Sequence, residues 1–79
     1  MRMLNIGFNN YVPKDKIVSI VDYNSAPIRR MIAEAKDRGM VINACYGRPT
    51  SSVIFTVSNY IIISSVERKT LGKRAEEYE

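Results

Sequence analysis

The sequence contains no histidine and no tryptophan, and a single cysteine, Cys45. One cysteine cannot form an intramolecular disulfide, and a zinc cluster lacks its usual ligands without histidine. Ser-His and Cys-His nucleophilic pairs are excluded for the same reason. Acids are also scarce in the body of the chain. Of the 8 Asp and Glu residues, Glu76, Glu77 and Glu79 lie at the extreme end. The others are Asp15, Asp22, Glu34, Asp37 and Glu67. Asp22 falls at a strand end, and Glu34 and Asp37 sit beside bases on a helix face. Those are ordinary surface placements rather than general acid–base groups. Neither G-x-G-x-x-G nor G-x-x-x-x-G-K-[ST] occurs, so no phosphate-cradling nucleotide loop is indicated. The chain reads as a non-enzyme with no cofactor, no metal and no small-molecule substrate.

Long hydrophobic runs are missing as well. Val53 to Val66 is interrupted by Thr56, Ser58, Asn59, Ser64 and Ser65, and falls short of a membrane span of about 20 residues. The start, Met1 to Gly7, is broken by Asn5 and Gly7 before an apolar region builds up, unlike a signal peptide. A cytoplasmic location without a membrane partner is expected. Cys45 itself lies in an apolar run and reads as a buried, inert thiol.

What is present is a small basic domain. A chain of 79 residues buries only about 60 to 65% of its unfolded surface, so its core is marginal. With disulfides and metals excluded, self-association is the remaining support. The net charge is +4, but residues 1–75 hold all 12 bases against five acids. A basic body with an acidic tail points to a polyanionic partner, although solubility alone can also explain it.

Hydrophobic periodicity divides the chain into elements. Residues 3–12 alternate, with a turn at Asn9-Asn10. Pro13 to Lys16 is a loop, and Pro13 excludes a central strand there. Ile17 to Val21 is almost wholly apolar and reads as a strand buried on both faces. Ser25 is a good N-cap and Pro27 falls in the first helical turn. Ile28, Met31, Ile32 and Ala35 form the buried stripe of that helix, and Gly39 ends it. Met40 to Tyr46, Ser52 to Val57 and Tyr60 to Ser65 read as three further strands. Gly47 to Ser51 and Ser58-Asn59 connect them as hairpins. Residues from 67 onward read as a weak helix or frayed tail, because Gly72 and closely spaced acids oppose a stable helix.

The expected fold is therefore α+β: one domain over residues 1–66, a small, mostly antiparallel sheet with a single helix, and a charged tail over 67–79. Apolar side chains fall on both faces of the last strand. Tyr60, Ile61, Ile62 and Ile63 are thus expected to meet another subunit.

Recognition, not catalysis, is the remaining chemistry. Arg48 lies in the Gly47 to Ser51 connection beside Thr50 and Ser51, whose hydroxyls can donate to phosphate. Arg29 and Arg30 begin the helix, where the positive dipole end favours anions. Lys14 and Lys16 occupy the loop before the apolar strand. These bases either track a nucleic-acid backbone or are separately solvated charges; spacing alone does not separate the two.

The segments "LNIGFNNYV", "IVSIVDYNSAPIRRMIAEAKDRGMVINACYGRPT" and "YIIISSV" resemble the RemA family of bacterial extracellular-matrix regulators over residues 4–66. The resemblance implies a LytTR-like subunit that assembles into a closed ring and binds double-stranded DNA to activate biofilm-matrix and osmoprotection genes. It places the DNA-contacting bases at Arg48 and Lys16. Family members commonly carry Arg-Arg-Thr-Arg in the turn, where this chain has Arg48-Pro49-Thr50-Ser51. A lysine at position 16 also lacks the planar bidentate geometry of arginine. Weaker binding with a shallower salt dependence is implied. An interaction module that keeps the ring but binds DNA weakly is the alternative.

Overall fold

The computed structural model describes residues 2–77. The elements follow in the order β1 (Met3–Gly7), β2 (Asn10–Pro13), a 3-10 turn (Lys14–Lys16), β3 (Ile17–Asp22), α1 (Ala26–Asp37), β4 (Val41–Ala44), β5 (Ser52–Thr56), β6 (Ile61–Ser64) and α2 (Arg68–Glu77). The α+β class holds. β1 and β2 pair as an antiparallel ribbon, and the remaining strands form a sheet of order β3-β5-β6-β4.

The β-branched segment Ile61-Ile62-Ile63 explains that order. A strand that is apolar on both faces needs cover on both, and the middle of the sheet lies under the layers that supply it. β6 is accordingly interior, antiparallel to β5 and parallel to β4. A hairpin between β4 and β5, expected from their adjacency in the chain, does not form. β4 continues past the slot that β6 fills, and the Gly47 to Ser51 connection crosses over to β5. β3 and β4 run in the same direction, with the β5–β6 hairpin inserted between them.

β3 is an edge strand, not one buried on both faces. Its register with β5 shifts between Ile17 and Ser19, and Val18 at that bulge is 64% exposed. A bulge adds an unpaired residue and turns its side chain away from the ladder's alternation.

Period-2 alternation divides the core. Val53, Ile61 and Ile63 pack on one face of the sheet with Ile32 and Ala35 of α1 and with the buried Cys45. Ile54 and Ile62 pack on the other with Leu4, Ile6, Val12, Ala44 and Leu71. Ser25 precedes α1 in extended backbone without a side-chain cap bond, Pro27 lies in the first turn, and Gly39 has φ +68°. Met31, expected in the buried stripe, is exposed.

The second face carries the main correction. Residues 68–77 form a second helix, so the domain is not confined to 1–66 and the expectation of a single helix gives way to one on each face. Glu79 lies outside the described residues. Leu71 is fully buried against β1, β2 and the sheet. Arg74 Nη1 donates to the Asn5 carbonyl at 2.9 Å, and Lys14 Nζ donates to the Ala75 carbonyl at 2.7 Å. Helices gain most of their stability from such tertiary packing, which outweighs the cost of Gly72.

A pair of serines ties the layers together. Ser52 and Ser64 are cross-strand partners, both fully buried. Ser64 Oγ donates to the Ile6 carbonyl at 2.8 Å and accepts from the Val66 amide at 3.0 Å. Ser52 Oγ donates to the Val66 carbonyl at 2.7 Å. Ser64→Ala removes the partner of two backbone groups and is expected to cost about 1–3 kcal/mol. Thermal melts should show a clear drop, while Ser58→Ala in the exposed turn should stay near the parent. Equal melting of the two variants would contradict this role of Ser64.

Candidate nucleic-acid interface

β3, β4 and β6 end, and β5 begins, at the same end of the sheet. The β1–β2 turn joins them there through the Ser64–Ile6 bond. Arg48 is exposed on this end. Several contacts hold its connection: the Arg48 amide donates to the Cys45 carbonyl at 3.1 Å, the Ser51 amide to the Ser64 carbonyl at 2.8 Å, and Cys45 Sγ lies 3.4 Å from Thr50 Oγ1.

Two similar turns converge on Arg48. In Asn5-Ile6-Gly7-Phe8, the Gly7 amide donates to Asn5 Oδ1 at 2.9 Å; in Asn43-Ala44-Cys45-Tyr46, the Cys45 amide donates to Asn43 Oδ1 at 2.9 Å. In each, the aromatic residue that follows has left-handed backbone, with φ +52° at Phe8 and +53° at Tyr46. Bulky residues adopt that region at a cost of roughly 1–2 kcal/mol each. Gly7, at φ +110°, relieves the approach of the first turn to the sheet, since a Cβ there would stand 2.9 Å from Val66 Cγ2. The Phe8 and Tyr46 rings lie 4.9 Å apart at an interplanar angle of 47°. The Arg48 guanidinium carbon is 5.9 Å from the Phe8 centroid, within cation–π range. Tyr46 Oη donates to Asn10 Oδ1 at 3.4 Å.

On its other side Arg48 borders an open groove of about 440 Å³ shared with Asp22, Asn24, Pro49, Thr50, Ser51, Ser65 and Glu67. Asp22 is 3.7 Å from Arg68 in an exposed ion pair, and Lys69 lines the adjoining surface with Ser51 and Glu67. The groove therefore holds both signs of charge. The aromatic side of Arg48 is the side away from Asp22 and Glu67.

The residues singled out from the sequence divide between two ends. Arg48, Thr50 and Ser51 stand together. Arg29 is at the same end, its guanidinium 5.9 Å from the Tyr23 centroid, and the Tyr23 amide donates to the Ser51 carbonyl at 3.0 Å. Arg30 follows on α1 and is exposed. Lys16 is exposed at the opposite end, where its carbonyl accepts from the Val57 amide. The length of β3 separates it from the Arg48 loop by roughly 17 Å. Ile61, Ile62 and Ile63 belong to the chain's own core, because α1 covers one face of β6 while α2 and the β1–β2 ribbon cover the other. Burial leaves these three little surface for a partner, and only Tyr60 of that group is exposed.

Phe8, Tyr46, Arg68 and Lys69 escaped the reading of the sequence. The repeated pattern Asn-x-x-aromatic at Asn5–Phe8 and Asn43–Tyr46 was the available signal for the first two.

A family model described as extracellular matrix regulatory protein A-like matches residues 3–75. The chain belongs to the RemA-like family. Relatives of this RemA-like chain are named for a regulatory role. One from Desulforudis audaxviator is 53% identical over 74 residues, covering 94% of this chain and 78% of the relative. Another from Desulforamulus reducens is 49% identical over 74 residues, covering 94% and 82%. A third, from Heliobacterium modesticaldum, is 50% identical over 74 residues, covering 94% and 81%. The matched region of this RemA-like chain includes all but the last two residues of α2, which agrees with the burial of Leu71 and not with a boundary at residue 66.

Proposed function

We propose that this RemA-like chain is a cytoplasmic, non-enzymatic regulator that binds double-stranded DNA as a ring-shaped homo-oligomer and controls biofilm-matrix and stress genes. The observation that carries the reading is the exposed Arg48, beside the Thr50 and Ser51 hydroxyls and at the same end as Arg29. Membership of a family described by extracellular-matrix regulation gives that site its biological context.

The placement of the bases supports self-association. One subunit keeps Lys16 and Arg48 at opposite ends, so a continuous basic track needs neighbouring copies. Both edge strands carry an exposed apolar residue, Val18 on β3 and Ile42 on β4. Contact between unlike edges is heterologous and closes into a ring when the rotation permits. A ring repeats a modest site many times, and DNA that reaches several of them gains affinity by multivalency.

The interaction-module reading is favoured by one observation: Asp22 and Glu67 share the groove with Arg48. Arg48→Ala separates the two readings. Duplex binding by fluorescence anisotropy should weaken by about 1–3 kcal/mol per engaged site if Arg48 contacts a base, and less if it meets phosphate only. The salt slope should become shallower by nearly one in the phosphate case. Light scattering should give an unchanged assembly size. Unchanged affinity and slope would favour the interaction module.

A further inference from the structure

The β1–β2 hairpin accounts for the backbone of Phe8, since Phe8 and Asn9 are both left-handed, as a two-residue turn between paired strands favours, but it does not account for the exposure of the Phe8 and Tyr46 rings. Each adopts left-handed backbone, which bulky side chains avoid, yet burial is not the return. Phe8 remains 48% exposed and Tyr46 63% exposed. The two rings come from turns far apart in sequence and meet at 4.9 Å. Each turn is set by the same device, an asparagine side chain accepting from the amide two residues on. Around the pair stand a cation and amides: Arg48 at 5.9 Å from the Phe8 ring, and Asn10 bonded to Tyr46 Oη. The acids Asp22 and Glu67 line the groove on the other side of Arg48.

Exposed aromatic rings beside an arginine and an asparagine have the elements of a minor-groove wedge. Such wedges insert between base pairs, unstack them and bend the duplex, while the flanking polar groups meet the groove floor and edges. We propose that Phe8 and Tyr46 form an aromatic wedge that opens a base step in bound duplex DNA, with Arg48 and Asn10 seated in the adjacent minor groove. The proposal rests on the DNA-binding reading and adds its mode. Binding bends DNA and prefers sites with flexible pyrimidine–purine steps, where unstacking is cheapest. A phosphate-only surface has no such preference.

The wedge is testable with substitutions that tolerate the left-handed backbone, because asparagine adopts it far more readily than other side chains. The probes are a mixed-sequence duplex carrying 2-aminopurine at a central TA step, and the same duplex end-labelled for energy transfer. With the unmodified protein, 2-aminopurine fluorescence should rise and the labelled ends should approach. The Phe8→Asn, Tyr46→Asn double variant should lose both signals and bind the TA duplex roughly 5- to 150-fold more weakly, the loss expected for one base-stacking contact. Its salt slope should be retained, since no charge is removed. Circular dichroism verifies folding, and the single Tyr46→Asn variant replaces the double one if the latter melts early.

Binding by the unmodified protein without a fluorescence rise would overturn the wedge and leave DNA binding intact. So would bending by the variant equal to that of the parent. A change of assembly size in the variant, read by light scattering, would reassign the rings to a contact between copies. Absence of any duplex binding by the unmodified protein would overturn the DNA reading and the wedge together.

Discussion

A chain ending at Val66 is expected to lose its cooperative fold. The truncation deletes α2, and with it Leu71, which is fully buried among Leu4, Ile6, Val12, Ile54 and Ile62. Those side chains then lose their cover on the side where α2 lay, and only the β1–β2 ribbon remains over that face of the sheet. The Arg74 bond to Asn5 and the Lys14 bond to Ala75 are lost as well, loosening both ends of the β1–β2 ribbon. A domain of this size has a total stability of roughly 4–12 kcal/mol. Leu71→Ala alone should cost about 2–5 kcal/mol through lost transfer energy and the cavity left behind. Removing the helix exceeds that severalfold in buried area. Thermal melts by circular dichroism should show a lowered midpoint for Leu71→Ala and no cooperative transition for the truncated chain. A truncated chain that melts like the parent would mean that residues 67–77 are dispensable to the fold.

Ile62→Lys is expected to unfold the subunit rather than release it from an assembly. Ile62 is nearly inaccessible on the interior strand β6, flanked by Ile54 on β5 and Ile42 on β4. The substitution removes about 2–5 kcal/mol of apolar packing. It also asks an ammonium to sit in a core whose nearest groups are aliphatic, which costs several kcal/mol more or forces the backbone apart. Together these approach the whole stability of the domain. The expected product is aggregated or unfolded, with denaturant titration showing no native baseline. A soluble Ile62→Lys monomer with a parent-like melt would return Ile62 to the role of an interface residue, because only a surface position absorbs a lysine without loss.

Much of the secondary structure was legible because it depends on neighbours in sequence. The helix Ala26–Asp37 follows from Pro27 in its first turn, apolar residues at helical spacing and Gly39 after its end. The strands follow from β-branched runs between turn residues. α2 was not legible for the opposite reason. Gly72 and the terminal acids make its local propensity poor, and only the pocket formed by the sheet and the β1–β2 ribbon makes Leu71 a reason for helix. Val18 was misplaced on the same grounds, since a bulge is a property of pairing with β5 rather than of the Ile17–Asp22 segment.

The candidate site divides in the same way. Arg48 with Thr50 and Ser51 was visible as chemistry in a connecting segment, and those residues do stand together. Their alliance with Phe8 was invisible, because the 34 residues between Phe8 and Asn43 must fold before the two Asn-x-x-aromatic turns meet. The separation of Lys16 from Arg48 was equally hidden, since both lie in loops and only strand direction tells which end each loop occupies.

By itself the sequence determined the class of the protein: one small basic α+β domain, without histidine chemistry or a disulfide, and with the segments that mark a RemA-like chain. These are matters of composition and of local pattern, which act over a few residues and survive any arrangement of the elements. Only the tertiary structure decided that β6 is interior, that α2 covers the face otherwise left for a partner, and that Phe8, Tyr46 and Arg48 share one end. Each of those outcomes is settled by competition for buried area. Three consecutive isoleucines need cover on both sides, and the ribbon and two helices that supply it are drawn from distant parts of the chain.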